Sequence, residues 1–128
     1  MPKTLGDFVR EARAQVNEWD VESARKVLGE QPILVVDVRE PDEFAQGHLP
    51  GAICIPRGIL EGAADPGFRY RDERLCNARG ATILLCCQSG GRSAMAAVVL
   101  QQMGFGSVYN LAGGIECWAA EGFALELQ

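Results

Sequence analysis

The chain reads as an α/β domain built on a central, mostly parallel β-sheet with helices on both faces. Three observations predict it. Short apolar runs at residues 33–37, 52–55, 82–86 and 107–110 have the length and composition of buried strands. Segments of helical character lie between them, and strands alternating with helices imply parallel pairing through crossovers. The length of 128 residues, 48% of them hydrophobic and 23% charged, suits one domain with a substantial core.

Thr4 is placed to cap a first helix, with Asp7 in the capping-box position. Leu5, Phe8, Val9, Ala12, Val16 and Trp19 recur at helical spacing and predict one apolar face. Asp20 caps a second helix running to Leu28, with Gly29 at its end. Residues 1–30 therefore read as a helical extension packed on a single domain, 1–128.

Ile33-Leu34-Val35-Val36-Asp37 is a buried strand ending in an acid, and ligand-handling groups of open α/β sheets gather at such carboxyl ends. Pro41 suits the first turn of a short helix that Gly47 closes, with Arg39 and Glu43 spaced to pair. Pro50-Gly51 is a turn before the strand over 52–55. The connection from Pro56 to Gly80 is long and irregular, with one helical turn around Ile59-Leu60-Glu61. Its Arg69, Arg71 and Arg74, interleaved with Phe68 and Tyr70, are candidates to wall an anion pocket or to form a solvated excursion. Thr82–Cys86 is the central strand, 107–110 the last, and Gly113-Gly114 a tight turn into a helix bearing Trp118.

The stretch with chemical potential is Cys87-Gln88-Ser89-Gly90-Gly91-Arg92-Ser93, between the central strand and a helix over residues 94–103. Adjacent glycines let a loop curl and turn backbone N–H groups inward. A helix start adds unpaired N–H groups and positive dipole, so the site favours a bound oxyanion or the Cys87 thiolate. Strand alternation points Cys86 away from Cys87 and into the core. Arg92 at the helix start opposes the dipole, which suggests an anionic or acidic partner. Ser89 and Ser93 offer hydroxyl hydrogen bonds or caps. Asp37 and Arg39 are expected to scaffold the loops, and His48, the one histidine, to make a structural hydrogen bond.

At this loop the chain resembles the rhodanese-like sulfurtransferases. Asp37-Val38-Arg39-Glu40, Glu43-Phe44 and Gly47-His48-Leu49-Pro50-Gly51-Ala52 resemble the family's early signature. Leu111-Ala112-Gly113-Gly114-Ile115 with Trp118 resembles its closing one. The resemblance implies that Cys87 takes up a sulfane sulfur as a persulfide from thiosulfate or a related donor. Cyanide, a cellular thiol or a sulfur-accepting protein would then remove it. Residues 88–93 would bind the donor, with no metal and no cofactor. A persulfide carrier or regulatory module is the first alternative. A cysteine phosphatase is the second, disfavoured because its resemblance requires one residue more than the four between Cys87 and Arg92.

A net charge of −5 argues against nucleic acid or an anionic membrane surface as partner. No apolar run approaches a membrane span, and no signal peptide is visible. Five cysteines without paired spacing or a CxxC predict reduced thiols in a cytoplasm, not a disulfide or zinc scaffold.

Overall fold

The computed structural model describes residues 1–127. Five strands form one sheet in the order β1-β5-β4-β2-β3, every neighbouring pair parallel. They are β1 (Asn17–Trp19), β2 (Leu34–Asp37), β3 (Ile53–Cys54), β4 (Thr82–Cys86) and β5 (Ser107–Leu111). The helices are α1 (Leu5–Arg13), α2 (Val21–Glu30), α3 (Pro41–Ala45), α4 (Leu60–Ala64), α5 (Glu73–Cys76), α6 (Gly91–Gln102) and α7 (Gly114–Ala120).

Strand alternation divides the core into two layers. Val36, Val38, Ile83, Leu85, Cys87 and Val108 face one side, where Leu60, Leu75, Ala97 and Leu100 of the helices cover them. Val35, Leu84, Cys86 and Leu111 face the other and meet Val21, Ala24, Ile115 and Trp118. The central strand β4 is buried on both faces, which explains its continuous apolar run.

Strands β2, β3 and β5 shift by a residue at their ends from the sequence reading, and three helix boundaries differ by more. The first helix ends at Arg13, and Val16 and Trp19 do not continue its face. Residues 17–19 extend instead, pair with β5, and stack Trp19 on Tyr109 with ring centroids 3.8 Å apart. Sheet pairing overrides a helical period carried by residues of modest helix propensity. Leu5 and Phe8 also stay exposed, at 70% and 49%. The second helix runs through Gly29 and stops at Gln31, which precedes Pro32 and is extended as the proline ring demands. Finally, α6 starts at Gly91 rather than 94, because Gly90 itself takes the cap position with φ of 101°.

The connection from 56 to 80 is more ordered than its sequence suggests. It holds a 3-10 turn, Arg57–Ile59, followed by α4 and α5, and its Leu60, Ala63, Ala64 and Leu75 belong to the core.

Candidate active site

Cys87 follows the carboxyl end of β4, and Gly90 turns the chain into α6. That turn needs positive φ, and a Cβ on Gly90 would also crowd the carbonyl oxygen of Leu111 at 3.3 Å. The loop closes over the sulfur. The Gly90 N–H donates to Cys87 Sγ at 3.1 Å, the Ser93 hydroxyl at 3.3 Å and the Ser93 N–H at 3.4 Å. Cys87 is 1% exposed and Ser93 fully buried, so these donors act on the sulfur away from bulk water.

The other loop residues have separate places. Gln88 accepts from Arg39 through its side chain at 3.4 Å, and its carbonyl accepts from the Glu116 N–H at 3.0 Å. The Cys87 carbonyl accepts from the Ile115 N–H at 2.9 Å, so the first turn of α7 braces the loop from behind. Gly114 permits that approach, since a Cβ there would lie 2.5 Å from the Gln88 oxygen. Ser89, Gly90, Gly91 and Arg92 line one side of an open cleft of about 470 Å³, and Leu5, Gly6, Val9, Arg13 and Glu18 line the other.

Arg92 turns both terminal nitrogens to Glu43, at 2.9 and 3.0 Å. Glu43 therefore belongs to Arg92, not to Arg39 as the four-residue spacing suggested. The Arg92 guanidinium and the Glu40 N–H hold the Glu43 carboxyl at about 2. Arg39 instead pairs with Asp37 through Nε and a terminal nitrogen, the latter at 2.8 Å from Oδ2, and both side chains are buried. Arg39 also donates to the Gly47 carbonyl at 2.8 Å. Burial penalises the Arg39 charge, but the Asp37 carboxylate outweighs it and holds the guanidinium protonated. This pair ties β2, the end of α3 and the loop together.

Cys86 sits on the opposite face of the sheet in a dry environment. Burial, then the Asp37 charge, pushes its thiol well above the ordinary range, so Cys86 stays protonated. His48 stacks on Phe44 and bonds the Phe44 carbonyl through Nδ1 at 3.0 Å, which is a structural arrangement. The arginines of the long connection are engaged locally. Arg71 pairs with Glu73, Arg74 with Asp72, and Arg69 lies over Tyr70. The cleft beside the loop is lined without them.

Two contributors escaped the sequence reading, Asn110 on β5 and Glu18 on β1. Asn110 donates to the Gly90 carbonyl and to Glu18. The available signal was a polar residue at an inward position of an apolar strand, where an unpaired amide would be costly.

The model of the rhodanese-like domain matches residues 20–121. A protein of Allochromatium vinosum named sulfurtransferase is 36% identical over 86% of this chain and 94% of its own. One of Arabidopsis thaliana, named thiosulfate sulfurtransferase 16, chloroplastic, is 40% identical over 68% of this chain and 74% of its own. A solved structure from Rhodopseudomonas palustris superimposes with a TM-score of 0.86 at 28% identity, over 98% of this chain and 99% of that one. It is described as a protein of unknown function and a possible tyrosine phosphatase. The matched segment takes in β2 to β5, the cysteine loop and the glycine turn that braces it, and on that extent the chain belongs to the rhodanese-like domain family.

Proposed function

We propose that the protein is a thiosulfate sulfurtransferase with Cys87 as nucleophile. The Cys87 thiolate attacks the outer sulfur of thiosulfate, the S–S bond breaks, and sulfite leaves with the bonding electron pair. The persulfide on Cys87 is then attacked at its outer sulfur by cyanide, giving thiocyanate and restoring the thiolate. A cellular thiol or a sulfur-accepting protein would take the same place as cyanide.

The observation that carries this reading is the convergence of the Gly90 N–H, the Ser93 N–H and the Ser93 hydroxyl on one sulfur atom. Donors so placed stabilise a thiolate and, equally, a persulfide anion. Gly91, Ser89 and Gln88 complete the donor-binding loop, Arg92 lies at its outer edge with its charge met by Glu43, and Asp37 and Arg39 hold the loop in place. The names of the Allochromatium vinosum and Arabidopsis thaliana relatives agree with this chemistry. Five cysteines without paired spacing suit a reducing compartment, and a cytoplasmic location belongs to this proposal.

The phosphatase description attached to the Rhodopseudomonas palustris structure finds less support. Both terminal nitrogens of Arg92 are occupied by Glu43, and the loop encloses its sulfur closely.

Steady-state kinetics with thiosulfate and cyanide test the reading. Parallel lines in double-reciprocal plots are expected, because the acceptor meets an already loaded enzyme. Cys87→Ser should lower turnover by at least about a thousandfold, an alcohol being far less ionised than a thiol. Residual turnover near wild type in Cys87→Ser would refute the assignment. Sulfur loading without cyanide turnover would favour a carrier that serves a protein acceptor.

A further inference from the structure

Asn110 is fully buried on β5, and its amide is engaged on one side only. Its Nδ2 donates to Glu18 Oε2 at 2.8 Å and to the Gly90 carbonyl at 3.1 Å. Both neighbours are acceptors, so this orientation of the amide is the one that forms bonds. Its Oδ1 has no hydrogen-bond partner among the described residues. A buried unpaired acceptor costs free energy, so an apolar side chain would fill this place more cheaply if filling were the only need.

The return lies at Gly90. Its carbonyl accepts from Asn110 and from the Ala94 N–H at 3.1 Å, and its own N–H donates to Cys87 Sγ at 3.1 Å. At φ of 101°, glycine has few steric restraints of its own, so external bonds must set where that N–H points. Glu18 is fixed in turn by Arg13, whose nitrogens reach its carboxylate at 3.0–3.2 Å. Arg13 and Glu18 both precede the segment that the family model matches.

We propose that Asn110 is a positioning residue for the nucleophile loop, aiming the Gly90 N–H at the Cys87 sulfur while Glu18 and Arg13 of the N-terminal segment lock its amide. This rests on Cys87 being the nucleophile. The other charged or titratable groups on the elements packed about the loop are Asp37 at the end of β2 with Arg39 just after it, Arg92 of α6 with Glu43 of α3, and the Cys86 thiol of β4. The substitutions below leave all of them in place.

The test is the pH profile of Cys87 alkylation by iodoacetamide, followed by peptide mass, in the full chain. Its midpoint reports how well the thiolate is stabilised, independently of how easily the reagent enters. In Asn110→Leu, which matches the amide in shape and donates nothing, the midpoint should rise by about one pH unit. Asn110→Ala, which cannot overpack, should show the same rise. A midpoint within about 0.3 unit of wild type in Asn110→Ala would overturn the proposal, whatever the loss in melting temperature. Failure of both Asn110 variants to fold would also overturn it, since Asn110 would then serve the fold and not the loop. The measurement needs no sulfur donor, so it stands or falls apart from the choice of thiosulfate.

Discussion

Glu43 and Arg92 meet across 49 residues of sequence, and their pairing gives the loop an acid limit. The Glu43 carboxyl is held at about 2 against an ordinary 4.5. Depression in the folded state means that the pair contributes stability fully above about pH 4.5, and that this contribution is lost as pH falls toward 2. Arg92 and Glu43 are 39% and 33% exposed, so solvent screening limits the gain to about 1 kcal/mol. Urea denaturation should therefore show Glu43→Gln less stable than wild type at pH 6, with the gap closing between pH 4.5 and about 2. A gap that persists at pH 2 would contradict the pairing. Cys86 supports a second residue-scale prediction. Cys86→Ala should cost about 1 kcal/mol of packing and leave turnover intact, because the side chain faces the opposite core. Turnover in Cys86→Ala lowered tenfold would contradict the separation of the two thiols. That separation was legible in the sequence, since strand alternation alone divides neighbours. The partner of Glu43 was not, because a four-residue spacing to Arg39 offered a local pair that the buried Asp37 in fact claims.

At the scale of elements, the loop is held by what lies behind it. The first turn of α7 donates the Ile115 and Glu116 N–H groups to the Cys87 and Gln88 carbonyls. Gly114 makes this approach available through a φ of 64° and the absence of a Cβ. Gly114→Ala should destabilise the fold by at least ~2 kcal/mol, combining backbone strain with a clash against two main-chain oxygens. A change below ~0.5 kcal/mol in urea titration would show that α7 does not brace the loop. The Gly113-Gly114 turn was legible as punctuation, although its target was not, because the loop lies some 25 residues earlier in the chain. Strand β1 was hidden for a different reason. Three residues carry too little periodicity to outweigh the helical spacing before them, and only pairing with β5 makes them a strand.

The molecule as a whole places Cys87 just past the carboxyl end of the central strand of a parallel sheet, where such sheets gather ligand groups. Strands β5 and β2 flank that position and contribute Asn110 and Asp37, while α6 begins directly beyond it. The order of strands was not readable from periodicity, but the parallel α/β class was, because every crossover needs a helix. An overall charge of −5 makes the local donors matter more, since an anionic sulfur donor gains nothing from the distant field. All five cysteines are free, so several thiols compete in principle for any sulfur delivered. Burial and the charges around it disfavour the thiolate of Cys86, burial likewise that of Cys54, and Cys87 has the loop N–H of Gly90 directed at its sulfur. The most direct measurement is peptide mapping by mass after incubation with thiosulfate. A gain of one sulfur atom is expected on the peptide holding Cys87, located at Cys87 by fragmentation and removed by cyanide. Sulfur found on Cys54, Cys76, Cys86 or Cys117 with Cys87 unmodified would contradict it.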